Sequence, residues 1–228
     1  MAGMATIERA ALSPKTFRFF RELARNNRKP WLDANRERYR ADVVAPLRGL
    51  VEALAPVALS LHGGFETSGR FGANLSRINR DIRFAKDKTP YRTRMYVFFS
   101  RAGVEDGAEL FVGIGADVSV GFRSYGASPR SPRRAIGASR AAKNAAWLKS
   151  ASRRLARRYD SYWYATCKGA WTKYAGFPGK PEDWERLKGL VVRKRMSPTA
   201  ALRRSFIRDV ARIFEELFPL YRFTVLAD

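Results

Sequence analysis

The chain has 228 residues, 46% of them apolar, which is too hydrophobic for a disordered segment and long enough to bury one large core or two small ones. Its 44 Lys and Arg against 21 Asp and Glu give a net charge of +23, so a polyanion is the expected partner. The single cysteine, Cys167, excludes an internal disulfide framework and a cysteine-rich zinc site, and the absence of a run near the roughly 18 apolar residues of a membrane span, or of a signal-peptide stretch, leads us to expect a soluble, cytoplasmic protein.

Ser13-Pro14 is a capping residue followed by proline at the first helical position, and Phe17, Phe20, Leu23 and Ala24 recur at helical spacing until Asn26-Asn27. Pro30 opens a second helix with Trp31, Ala34, Arg38 or Tyr39, and Val43 on one face; Pro46 starts a third that reaches about Leu59. From Gly63 the pattern turns to glycine punctuation and β-rich alternation. Met95 to Phe99, Leu110 to Ile114 and Val118 to Phe122 read as strands, the last two joined by a Gly115-Ala116-Asp117 hairpin. Residues 124–137, with two Ser-Pro pairs, read as a loop or arm. Beyond it Ala141, Ala145, Leu148, Ser152, Leu155, Tyr159 and Tyr162 share a helical face, leaving Lys143, Lys149, Arg153 and Arg157 toward solvent. Val191-Val192 suggests a further strand, Ser197-Pro198 launches a helix through Leu202, Phe206, Val210, Ile213 and Leu217, and "YRFTVL" closes the chain as a β-like segment.

Charge is concentrated in two places. Residues 123–158 carry 11 basic and no acidic residues, nearly half of the whole excess. The second place is the window "RINRDIRFAKDKTPYRTR", Arg77 to Arg94, with seven cations and two carboxylates. In strand geometry Arg77, Asn79, Asp81 and Arg83 would share one face of its first half. Pro90 removes a ladder donor, so Lys86 to Pro90 reads as a turn in which Asp87 accepts the Thr89 N–H, with Tyr91 starting a return strand.

The pattern Arg77-x-x-Arg80-Asp81-x-Arg83-Phe84-x-Lys86-Asp87-Lys88-Thr89-Pro90-Tyr91 resembles the signature of a widespread, mostly bacterial domain-of-unknown-function family of conserved hypothetical proteins. The stretch "NNRKPWL" at 26–32, Tyr39, Pro46 and the Gly115 to Gly121 hairpin are similar to that family as well, so the resemblance covers most of the chain. Ala85 stands where the family usually has Ser, Leu32 where an aromatic is common and Arg92 where Lys is common; residues 123–158 are far more basic than the resemblance implies. No activity comes with it.

The charged window has two readings. In one it is an anion site, with Arg77, Arg80, Arg83, Lys86, Lys88 and Arg92 around a phosphate or carboxylate and Asp81 and Asp87 orienting the guanidinium groups. In the other it is an internal ion-pair network, with Asp81 on Arg83 or Arg77. Asp81 and Asp87 are the weak candidates for catalysis, as metal ligands or as an acid and base, although the surrounding cations would repel a divalent ion. His62, the sole histidine, and Cys167 are too isolated to build a nucleophile pair, and the GxG at 113–115 lacks the strand-to-helix context of a dinucleotide loop. No metal or cofactor is expected.

Trp31 reads as core packing, or else as an aromatic platform beside the anion site. Tyr159, Tyr162, Trp163, Tyr164, Trp171 and Tyr174, interleaved with cations, raise base stacking, with at least half of them expected in the core. For 123–158 the readings, in order, are a nucleic-acid surface, a solvated face and a membrane surface; Arg130, Arg133, Arg134, Arg140, Lys143, Arg153 and Arg157 are the residues that would contact phosphates.

These observations predict one α+β domain over residues 1–228, in which N-terminal and C-terminal helices pack on a central, mainly antiparallel sheet and residues 123–158 form a basic insertion. The leading expectation for function is a non-enzymatic binder of RNA, ribonucleoprotein or another polyanion. The alternative is an enzyme acting on a small phosphorylated or carboxylated substrate held by the Arg77–Arg94 turn.

Overall fold

Ser13 and Pro14 start helix α1, Pro14–Arg25, as the sequence predicts: the Thr16 N–H donates to the Ser13 carbonyl at 3.0 Å and the Ser13 N–H reaches Thr16 Oγ1 at 3.4 Å. Asn26 ends it, its backbone N–H and its Nδ2 both donating to the Glu22 carbonyl at 3.0 Å. Helix α2, Lys29–Ala34, follows, and then α3, Arg36–Leu61. These coordinates come from a computed structural model that describes residues 12–101, 107–125, 141–167 and 170–225.

The α-helix that the sequence places at Pro46 runs over Ala45–Leu61 with Pro46 in its first turn, and it follows the preceding residues without a break, so that the whole helical stretch is α3. Arg40–Val44 forms a π turn in which the Ala45 N–H bonds to the Arg40 carbonyl, five residues back, and this wider turn accommodates a proline that has no N–H to offer and whose ring would crowd a normal one. By length and composition α3 is the one described helix apolar enough to cross a membrane; half of its most apolar window is buried, and Leu47, Leu50, Val51 and Leu54 lie in the core.

The strands are β1 Met95–Phe99, β2 Ala108–Ile114, β3 Val118–Tyr125, β4 Asp160–Cys167, β5 Ala170–Ala175 and β6 Leu187–Met196. They form one six-stranded antiparallel sheet in the order β1-β2-β3-β6-β4-β5, with helices in the N-terminal and C-terminal regions, so the α+β class read from the sequence is the observed one. Gly121 in β3 is required by close approach, since a Cβ there would meet the Val192 carbonyl oxygen of β6 at 2.1 Å.

The described residues also form helices α4 Ala145–Ala156, α5 Pro181–Glu185, α6 Pro198–Ala201 and α7 Phe206–Val225. Ser197 caps α6 by accepting the Ala200 N–H at 3.1 Å. The helix expected to run on from Ser197 is broken at residues 202–205, and the β-like ending is helical to Val225 because Leu220, Tyr221, Phe223 and Thr224 are buried on one side of α7. Tyr162, expected on the α4 face, lies in β4, and the β4–β5 pair itself was not read from the sequence.

The chain clusters into two compact units. One comprises Met1–Phe99, Phe111–Ser119 and Arg195–Arg212, the other Ser100–Leu110, Val120–Lys194 and Ile213–Asp228. In the first, Phe17, Phe19, Phe20 and Leu23 of α1 are buried with the apolar face of α3 and with Met95, Val97 and Phe99 of β1. In the second, Phe122, Trp163, Leu190, Val192, Phe214 and Leu217 are buried, and Tyr221 meets the Phe122 ring edge-on at 6.2 Å.

Candidate functional site

In the first unit the Arg77–Arg94 window is a braced loop. The expected strand from Arg77 to Phe84 is absent, and a single antiparallel bridge, Asn79 with Tyr91, takes its place. Its two hydrogen bonds run from Arg80 N–H to the Pro90 carbonyl at 2.9 Å and from Arg92 N–H to the Ile78 carbonyl at 2.7 Å. The next rung would need a donor on Pro90, which has none, so the ladder stops there.

Side chains supply what the backbone does not. Asn27, just beyond α1, donates from Nδ2 to the Tyr91 carbonyl at 2.8 Å and accepts the Tyr91 N–H at 3.0 Å, as a neighbouring strand would. Asp87 accepts the Thr89 N–H at 2.9 Å, the turn expected from the sequence, and also the Thr89 hydroxyl at 3.0 Å and Arg80 Nη1 at 2.5 Å. Arg80 Nη1 reaches the Thr89 carbonyl at 3.2 Å and bonds the Thr89 hydroxyl oxygen too. The Thr89 N–H first, then Arg80 and the Thr89 hydroxyl, hold the Asp87 carboxyl down at about 2.

Asp81 accepts Arg83 Nη2 at 2.7 Å and Nε at 3.0 Å, and this fork, followed by the Arg83 N–H, lowers its pKa below the usual carboxylate value. Lys88 donates to the Ile82 carbonyl at 3.0 Å. Arg80, Arg83 and Lys88 are thus engaged internally, whereas Arg77, Lys86 and Arg92 are exposed and have no acidic partner among the described residues. Both aspartates stay ionised at neutral pH and each holds a guanidinium, so neither has a proton to donate. No group of three or more His, Cys, Asp or Glu that could hold a metal ion occurs among the described residues.

Beside the loop lies a groove of about 370 Å³ lined by Asn27, Arg80, Asp87, Thr89, Arg92 and Arg94. Arg94 is itself paired with Asp117 and donates to Ser119 Oγ at 3.0 Å. Phe84, at the loop's edge, is 96% exposed. Trp31 is packed on Phe19, ring centroids 5.5 Å apart, which gives it a role in the core. His62 accepts the Gly64 N–H at Nδ1, 3.0 Å away, within its own turn.

In the second unit the described part of the basic segment is α4 and the turn after it. Arg130, Arg133, Arg134 and Arg140 lie outside the described residues. Lys143, Lys149, Arg153, Arg154 and Arg157 are all exposed and have no acidic partner among the described residues, while Arg158 pairs with Glu216 at 3.0 Å. Lys149, Arg153 and Arg157 recur every four residues and stack along one side of the helix, lining a shallow groove of about 570 Å³ with Arg154 and Arg158. Leu148, Ala151 and Leu155 fill the opposite, buried face. Tyr159 donates its hydroxyl to Glu216; burial first and that bond second push its phenol up.

Sequence reasoning placed the Thr89 N–H in the Asp87 turn but missed the Thr89 hydroxyl, and it missed Asn27 and Asn74 as supports of the loop. Asn74 is fully buried, its Nδ2 donating to the Glu66 carbonyl at 2.7 Å and the Phe98 carbonyl at 3.0 Å while its Oδ1 accepts the Gly69 N–H at 3.0 Å. The signal in the sequence was an asparagine just after two glycines, Gly69 and Gly72, which marks a turn without naming partners so far along the chain.

An antiparallel sheet flanked by helices, with a guanidinium-braced loop in one unit and an acid-free basic helix in the other, defines an α+β protein whose surface chemistry is cationic. Residues 15–223 match the family described as conserved hypothetical protein (DUF2461), and the chain belongs to that family. Searches of curated proteins and of solved structures returned no match.

Proposed function

We propose that this protein is a non-enzymatic binder of polyanions, RNA first among them, acting in the cytoplasm, and that the basic segment at 123–158 is an insertion carrying that role. The observation behind the reading is α4: Lys149, Arg153, Arg154 and Arg157 are exposed along a helix with no acidic residue and no acidic partner among the described residues. Such a row meets phosphates without reading sequence. Binding to a mixed-sequence single-stranded RNA, followed by fluorescence anisotropy, should weaken with salt along a log–log slope of about −0.7 per phosphate contacted. An affinity independent of salt, or none at low salt, overturns it.

A second reading is favoured by the groove beside the charged loop: an enzyme acting on a small phosphorylated or carboxylated substrate, with Arg92 as the available guanidinium and Asp87 in the wall. It predicts calorimetric binding of inorganic phosphate that Arg92→Ala abolishes.

A further inference from the structure

The aromatic run between residues 159 and 174 is divided between two faces of the sheet. Trp163 is 5% exposed and stacks on Tyr174, its cross-strand partner, at 4.5 Å. On the opposite face Tyr162 and Tyr164 are half-buried and Trp171 and Lys173 are exposed. The register sets Tyr164 across from Lys173 and Thr166 across from Trp171, which places Tyr162, Tyr164, Trp171 and Lys173 on that one side. The Tyr162 and Tyr164 rings are 5.7 Å apart, the Tyr164 and Trp171 rings 6.0 Å apart, and Trp171 is 57% exposed.

On the other flank of β4, Gly189 of β6 lies opposite Tyr164. A Cβ at residue 189 would meet the Tyr125 ring at 2.8 Å, so the missing side chain lets Tyr125, 39% exposed, extend the aromatic surface across β6. Two cations are held against the Tyr162 ring: Lys173 Nζ at 4.1 Å and the Arg193 guanidinium carbon at 5.4 Å from its centroid. Arg193 Nε is buried and donates to nothing, while Asp160, opposite Arg193, is the only acid on β4, β5 and β6.

We infer that this face is a stacking surface for the unpaired bases of a single-stranded nucleic acid, with Tyr164 and Trp171 as ring platforms and Lys173 and Arg193 as phosphate partners. A row of large rings that are exposed, as Trp171 and Tyr125 are, or half-buried, as Tyr162 and Tyr164 are, is costly to leave in water unless something covers it, and every base offers a π face. Cations beside the rings select a polyanion over an acid-free apolar partner. The inference rests on the polyanion-binding reading above and adds to it a preference for single strands.

The test uses the full chain with three probes at matched salt: a mixed-sequence single-stranded RNA, the same sequence as a duplex, and heparin, which has charge and no bases. The single strand should bind more tightly than the duplex. Trp171→Ala should weaken single-strand binding roughly tenfold, within the range of one lost base stack, and leave heparin binding unchanged. If that variant folds poorly by circular dichroism, Trp171→Thr keeps a strand-forming residue at the same exposed edge position. Heparin binding without a single-strand preference, or a neutral Trp171→Ala, overturns the stacking surface alone; no binding to any probe removes the polyanion reading as well. Self-association abolished by Trp171→Ala, with RNA binding untouched, assigns the face to a second copy of this chain and overturns the inference.

Discussion

Arg80 and Arg153 carry the same guanidinium, yet the two regions that hold them treat it in opposite ways. In the Arg77–Arg94 loop, carboxylates and carbonyls are threaded between the cations, and Arg80 is held by Asp87 and by both oxygens of Thr89. Along α4 there is no acid, and Arg153 points to solvent without an acidic partner among the described residues. Both segments are rich in positive charge; the placing of two aspartates and a threonine is what braces the loop and has no counterpart in α4. Four of the loop's seven cations, Arg80, Arg83, Lys88 and Arg94, are engaged within the protein, whereas Lys149, Arg153 and Arg154 of α4 have no acidic partner among the described residues.

Substitutions sharpen that contrast, beginning with the largest expected effect. Asn27→Ala leaves the Tyr91 N–H and carbonyl without partners in a mostly buried place, and should cost about 3 kcal/mol in denaturant unfolding with RNA affinity unchanged. The double reversal Arg153→Glu and Arg157→Glu should do the reverse, lowering RNA affinity about a hundredfold in anisotropy titrations while the midpoint of unfolding stays put. Arg80→Ala should destabilise by about 1–2 kcal/mol, because the Thr89 carbonyl and hydroxyl lose a donor, and should leave RNA affinity intact; a loss of affinity without a loss of stability would erase the distinction between the two regions. Arg158→Ala removes one exposed pair with Glu216 and should change stability by less than about 0.5 kcal/mol.

A smaller effect lies in pH. The Asp87 pKa is depressed relative to its ordinary 3.8, so the loop's brace is fully present above that value and is lost as pH falls through about 2. In a carboxyl NMR titration the Asp87 midpoint should lie near 2 and should climb back toward 3.8 in Thr89→Val, which lacks the hydroxyl. A midpoint unmoved by that change would mean that the hydroxyl adds nothing to the brace.

Much of this architecture was legible from local chemistry. The first helix, the hairpin at Gly115, the three strands between Met95 and Tyr125 and the Asp87 turn depend on caps, prolines and alternation within a few residues, and they stand where those signals fall. The misses were of another kind. The π turn Arg40–Val44, which joins the helix at Pro46 to the residues before it, leaves no mark of its own in the sequence, and "YRFTVL" looked extended although burial of Leu220 and Tyr221 makes it helical. Asn27 to Tyr91, Asn74 to Phe98 and the aromatic face depend on pairings that only the folded chain defines, so residue type suggested chemistry there but not partner.

The amide of Asn27 completes a rung for Tyr91 across 64 positions of sequence. During synthesis the loop therefore has to await an early segment already in place, and a split of the gene between the two would produce pieces that regain the loop only by reassociating. Mixing fragments 1–62 and 63–228 would show whether resistance of the Lys86–Lys88 peptide bonds to trypsin returns on complementation.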